Sequence, residues 1–365
     1  MDDRERRILD HYAQLTQLDA EANRRWCGTG DRVLLVRHPE RSPGFYLLFL
    51  RWLETNFPAV RGHFQLALLP CASVDLSGVR LVVPWLQDPV EAWSPKSLPI
   101  ACRLVDRCTA LGIPVVNHPA RLVNAGKRET AARLAAIGIR TPRIVAIDPA
   151  DPEAARREIA GPMLVREDWQ HGAASLRLAP GEPIDAAALG GFQRPIAVEF
   201  VDTRGADGLF RKYRVLVAGD HTIAVHLIAS REWEVRGDNK VTTADLLAEE
   251  AAHIATEDAN GGLLARARRA LELDFAAFDY GRLRDGRMVV WEANPYPLIQ
   301  FGPREAPLKY RDAPVHRSFA AMAGLYLDRA GLPVPADIDA LRRYGVPDTQ
   351  LVLDRLLVLM PRPKR

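Results

Sequence analysis

Residues 4 to 22 carry apolar side chains at Ile8, Leu9, Tyr12, Leu15 and Leu18, the spacing of an amphipathic helix. The next run, "DRVLLVRHP", is almost continuously apolar and short, as expected of a strand buried on both faces. "GFYLLFLRWLETNF" then predicts a helix, "VRLVVPWL" a strand, and "IACRLVDRCTALGI" a helix leading into "PVVNHP". This alternation predicts a parallel α/β sheet over roughly residues 30 to 120.

The middle of the chain has a different rhythm. "GKRETAARLAAIGIRTPRIVAI" predicts a helix ending at Gly138, followed by an extended segment. "PMLVRE" and "LRLAP" predict strands on either side of the small-residue loop "WQHGAAS". "PIAVEFVD", "FRKYRVLVAGD" and "TIAVHLIAS" read as three further strands, and helices follow over about 244 to 256 and in "GLLARARRALEL". In "FRKYRVLV" the strand period puts Lys212, Arg214 and Leu216 on one face and Tyr213, Val215 and Val217 on the other. Two neighbouring cations on one strand face call for an anion between them.

"FDYGRLRDGRMVVWEANP" predicts two strands closed by Asp285-Gly286, a dipeptide suited to a two-residue hairpin turn. With Arg284 facing Arg287, Asp279 falls opposite Glu292, so two carboxylates lie roughly 5 Å apart on one face. Asn294 projects to that same face. Three hard oxygen donors converging in an apolar setting predict a cation site.

Bulk properties narrow the class. A chain of 365 residues, at about 150 per domain, predicts two or three domains. Hydrophobic residues make up 48% and charged residues 26%, ample for a soluble core. A net charge of +3 is too small to argue for nucleic acid or an anionic membrane as partner. No run approaches the roughly 18 apolar residues of a membrane span, and "MDDRERRILD" lacks the apolar centre of a signal peptide. Cys27, Cys71, Cys102 and Cys108 show no CxxC or framework spacing, which suits reduced thiols in a cytoplasmic protein.

Three segments in order carry a family pattern: a helix opened by Asn124 and Lys127, the strand and loop "PMLVREDWQHGAAS", and the hairpin ending "WEANP". Over about residues 115 to 300 this resembles the ATP-grasp superfamily of carboxylate–amine ligases, such as glutathione synthetase and D-alanine–D-alanine ligase. The resemblance implies a mixed α+β and α/β chain, with an ATP-grasp fold of two α+β subdomains clasping ATP, preceded by a Rossmann-like α/β domain. The implied division is an N-terminal helix over 1–28, the α/β domain over 29–122, the ATP-grasp domain over 123–330, and a helical tail over 331–365.

The resemblance also assigns residues. Lys127 and Arg166 would meet the nucleotide phosphates, with Arg166 standing where the commonest pattern has Lys. His171, Gly172 and Ser175 would belong to the small loop over the phosphates. Backbone groups of Glu199, Phe200 and Val201 would bind the adenine edge, and Asp207 the ribose. Asp279, Glu292 and Asn294 would hold Mg²⁺ or Mn²⁺. Arg214, with Lys212 beside it, would sit at the transferred phosphate and stabilise the oxyanion. The implied reaction passes the γ-phosphate of ATP to a carboxylate, giving an acyl phosphate that an amine, or a thiol, then displaces. Arg231, Arg236, Lys240 and Arg304 suggest an anionic small-molecule substrate such as an amino acid or peptide, and a homodimer stays open. A small-molecule kinase and a non-catalytic nucleotide-binding protein are the alternatives.

Overall fold

A computed structural model describes residues 30–37, 44–69, 75–86, 97–169, 175–302 and 306–359. The N-terminal helix expected over 4–22, Cys27, Cys71, His171, Gly172 and Arg304 lie outside these residues. Three sheets organise the chain. The first is a parallel sheet of β1 (Arg32–Arg37), β2 (Phe64–Leu68) and β3 (Val79–Trp85), in the order β2-β1-β3. Its central strand is buried at every position, as a continuous apolar run between two neighbours should be. The second sheet is antiparallel, formed by β4 (Ile144–Ala146), β5 (Met163–Glu167), β6 (Leu176–Leu178) and β7 (Pro195–Glu199) in the order β4-β7-β5-β6. The third, also antiparallel, joins β8 (Phe210–Ala218), β9 (His221–Ser230), β10 (Phe275–Arg282) and β11 (Met288–Asn294) in the order β11-β10-β8-β9.

The cores follow the strand alternation. Val215, Val217, Phe278 and Tyr280 point from one face of the third sheet into a core with Leu134, Leu264 and Leu271. The other face changes character along its length: Leu216, Ala218, Phe275 and Ala277 join the core of the parallel sheet, while Lys212, Arg214 and Asp279 line an open cavity. The buried helix Asp312–Ala330 ties these parts together, with Phe319 and Tyr326 packed on Phe49 at ring separations of 5.7 and 6.1 Å. The sequence pattern did not single out this helix, because it is buried nearly all round, with His316, Arg317 and Ser318 among its buried residues, and shows no apolar stripe. β2 was also missed, since five residues are too few to establish a period.

The expected two-residue turn is corrected. Leu283 N–H donates to Arg287 O at 2.9 Å, so Arg284, Asp285 and Gly286 form a three-residue loop. Gly286 supplies the left-handed residue at φ 83° that this loop needs. That shifts the register by one, pairing Arg282 with Met288. Trp291 then bulges from β11, and beyond it Asp279 does lie opposite Glu292. Two departures cancel, leaving the expected pair.

A buried joint fixes the parallel unit to β10. Asn117, 2% exposed, holds a left-handed φ of 54°. Its Nδ2 donates to Phe275 O at 2.9 Å, and its Oδ1 accepts from the N–H groups of Asp274 and Phe275 at 2.8 and 3.1 Å. Among the described residues no helix is long and apolar enough to cross a membrane, and Cys108 is a buried free thiol.

Two outcomes follow. Asn117→Ala orphans three buried backbone groups and should lower the unfolding free energy by about 3 kcal/mol in urea titration. His316 is buried against Trp52, whose Nε1 donates to its Nδ1 at 2.9 Å. Burial pulls its pKa from 6.5 to about 4. The folded state resists protonation that the unfolded chain accepts, so stability should fall as pH drops from about 6.5 towards 4, by roughly 3 kcal/mol from this residue. Thermal melts across that range should show a shallower fall in His316→Gln than in wild type.

Candidate active site

Antiparallel register places Glu292, Asp279, Arg214 and His226 in one row across the third sheet, each the Cα partner of the next. Partners directly opposite share a face, so these polar side chains are held together by backbone pairing. Asp279 is 6% exposed and fully engaged. Arg214 Nε donates to Oδ1 at 2.6 Å and Nη2 to Oδ2 at 2.7 Å, while Lys212 Nζ lies 3.9 Å from Oδ2. Burial disfavours the Arg214 charge, yet Asp279, by charge and hydrogen bonding, and Glu292 outweigh it and raise the pKa. This corrects one expectation. The facing carboxylates are compensated, and the compensating group is Arg214, which the sequence reading had directed at phosphate.

Glu292, Asp279 and Arg214 of this row line a cavity of about 340 Å³, within the range of small-molecule sites. Ile144, Leu164 and Val198 from the second sheet form its apolar wall. Lys127, the first residue of the helix Lys127–Ala136, reaches in and donates from Nζ to Asp168 O at 3.1 Å. Arg166, on β5, contrasts with it. Its Nε is buried with no hydrogen-bond partner among the described residues. Burial lowers its pKa, while Glu292 and Glu234 act in the opposite sense.

Ten of the residues picked from the sequence line this one cavity: Lys127, Arg166, Glu199, Phe200, Val201, Lys212, Arg214, Asp279, Glu292 and Asn294. Their availability differs. The Glu199 carboxylate accepts from Arg140 Nη2 at 2.9 Å and Arg143 N at 2.8 Å. The N–H groups of Glu199 and Phe200 donate to Arg143 O and Pro162 O, so those two donors are already taken. Val201 N–H is the donor left at this edge among the described residues. Asn294 Oδ1 accepts from Tyr296 N at 2.8 Å, which leaves a second lone pair.

Other expected residues lie elsewhere. Asp207 pairs with Arg211 at 2.7 Å, on the rim of a different cavity, and that hydrogen bond holds its pKa near about 2. Ser175 is off the cavity, its Oγ buried and unpartnered among the described residues. Arg231 borders the same cavity as Asp207, and Lys240 borders a smaller one beside His226 and Glu250. Arg236 does line the main cavity, but Glu234 pairs with it at 2.6 Å.

Trp233 and Trp291 also wall the cavity. Trp233 meets Phe200 edge-on at 6.1 Å. Trp291 reaches the cavity from its bulge and lies over Gly281, where an added Cβ would sit 2.5 Å from ring carbon Cζ2. Among the described residues no group of three or more His, Cys, Asp or Glu gathers, so any metal here would rest on two carboxylates and an amide.

No family model matches the chain, and no curated protein matches it. Solved structures do. The ATP-grasp ligase PsnB, complexed with a minimal precursor, Mg and ADP, is 15% identical with a TM-score of 0.50, covering 82% of this chain and 98% of its own. The macrocyclase MdnC of Microcystis aeruginosa MRC, bound to its precursor peptide MdnA, is 12% identical with a TM-score of 0.50, over 81% and 99% of the two chains. VanG D-Ala:D-Ser ligase of Enterococcus faecalis is also 12% identical at a TM-score of 0.50, over 82% and 99%. At these identities the likeness is one of fold, and the chain has the ATP-grasp fold.

Proposed function

We propose that the chain is an ATP- and Mg²⁺-dependent ligase that joins a carboxylate to an amine through an acyl phosphate. The observation that carries this reading is Arg166, a cavity-lining guanidinium whose buried Nε has no protein acceptor among the described residues. Glu292 and Glu234 act on this half-buried guanidinium by charge, and an anionic ligand would in addition give the Nε an acceptor. A triphosphate fits, with Lys127 as second cation and Lys212 and Arg214 at the far end. The apolar wall of Ile144, Leu164 and Val198 suits a flat base, and the Val201 N–H suits its edge. The parallel three-stranded unit takes the place of the small domain that precedes ATP-grasp domains.

Asp279, Glu292 and Asn294 fit a Mg²⁺ ion chemically, since each presents hard oxygen to the same cavity. When bound, Mg²⁺ neutralises phosphate charge. The chain's own part is positioning. Lys127 and Arg166 hold the phosphates, and the cations beside Asp279 align the acceptor carboxylate. The bond from the γ-phosphorus to ADP breaks as a carboxylate oxygen binds that phosphorus. An amine nitrogen then attacks the acyl carbon, loses its proton, and expels phosphate. No Ser, Cys or His nucleophile is required. The precursor peptides bound by PsnB and MdnC, and the D-amino acids named for VanG, support an amino acid or peptide as substrate.

The test is purified protein with ATP, Mg²⁺ and pooled amino acids and small carboxylates, followed for ADP, AMP and condensed products by mass spectrometry. ADP together with a condensed amide is expected. AMP with pyrophosphate, or a stable phosphorylated alcohol formed without amine, would overturn the ligase reading. Arg166→Met should raise the KM for ATP roughly 10- to 100-fold, the worth of one charge-assisted hydrogen bond. The same variant should leave the melting temperature nearly unchanged, because the Arg166 Nε has no acceptor among the described residues. A clear drop in melting temperature would mark Arg166 as structural instead.

A further inference from the structure

Asp279 stands at the centre of the candidate metal position, yet both its oxygens already accept from Arg214, at 2.6 and 2.7 Å. Lys212 adds a second cation 3.9 Å away. A divalent cation approaching this carboxylate is repelled by two positive charges, and only the second lone pair of each oxygen is open to it. The guanidinium fork matches the carboxylate plane, so the pair is a specific occupant of the site. We infer that Arg214 is the resident counter-ion of the metal position, and that Asp279 accepts a divalent cation only when an anion in the cavity draws the Arg214 fork away. This rests on the nucleotide reading above.

The geometry supplies the means of exchange. Arg214 and Arg166 line one cavity, so a polyanion that satisfies Arg166 also reaches Arg214. Phosphate oxygens offer the fork the same bidentate geometry as a carboxylate. Once the fork turns to phosphate, Asp279 would be a buried carboxylate paired across the strands with Glu292, an arrangement costly without a cation. Nucleotide and metal therefore bind with positive coupling, each making room for the other. The sheet fixes the exchange to this row, because Arg214 and Asp279 are cross-strand partners on neighbouring strands.

The probe is Mn²⁺ alone, with free ion counted by electron paramagnetic resonance against the full-length protein and no nucleotide present. Arg214→Gln should bind Mn²⁺ roughly 10- to 100-fold more tightly than wild type, the fold-change of one charge-assisted hydrogen bond to the carboxylate. Arg214→Lys keeps the charge without the fork and should fall between them. Adding Asp279→Asn to Arg214→Gln should abolish the gain. Equal Mn²⁺ affinity in wild type and Arg214→Gln, or a gain that survives Asp279→Asn, would overturn the inference. Circular dichroism checks that each variant is folded. A non-hydrolysable ATP analogue titrated with Mg²⁺ present, read by tryptophan fluorescence, separates the two levels. Analogue binding without the Mn²⁺ gain sinks the counter-ion role alone, whereas no analogue binding sinks the nucleotide reading beneath it.

Discussion

A carboxylate at 6% exposure is stable only with a partner, and for Asp279 that partner is the Arg214 fork. Much else in the site is arranged around this pair. It requires β8 beside β10, which fixes the centre of the third sheet. It requires Asp279 and Arg214 on the open face, which sends Tyr280 and Val215 into the opposite core. Tyr280 then stacks on Tyr213 at 4.9 Å, and Arg282 covers the Tyr213 ring at 4.4 Å. The polar row and the apolar core are two sides of one register.

The register was half legible in the sequence. Period-two alternation in "FRKYRVLV" gave the correct face for Lys212 and Arg214, because alternation is a property of the strand alone. The Asp279–Glu292 pairing was reached through a turn that does not exist, rescued by a bulge at Trp291 that a sequence does not announce. The Arg214–Asp279 pair was not legible. The two residues are 65 positions apart, and nothing local states that β8 lies next to β10. The Asp207–Arg211 pair was not legible either, since a turn running into a strand gives four-residue spacing no fixed meaning. The helix Asp312–Ala330 escaped for the opposite reason, since burial on all sides erases the pattern that reveals a surface helix.

The backbone at the linker shows how a motif can be right in place and wrong in detail. Glu199, Phe200 and Val201 all line the cavity. Glu199, however, serves the protein: its carboxylate holds Arg140 and its N–H holds Arg143 O. These bonds anchor the end of β7 and leave the edge to Val201. Side-chain identity indicated the place, but the donor count follows from the accounting every buried N–H must satisfy.

Charge accounting joins the site to its ligand. The cavity is lined by five cations, Lys127, Arg166, Lys212, Arg214 and Arg236, and four carboxylates, Glu199, Glu234, Asp279 and Glu292. One excess positive charge is a poor match for a bare triphosphate, which brings about four negative charges. A divalent cation arriving with the nucleotide cuts that mismatch by two. The internal pairs Arg214–Asp279 and Arg236–Glu234 meanwhile keep the ligand-free cavity close to neutral. Arg166, lacking such a pair, is the charge that favours entry of an anion. A cavity wired this way favours a ligand whose total charge balances its own, and the proposed metal and nucleotide together come nearer to that than either alone.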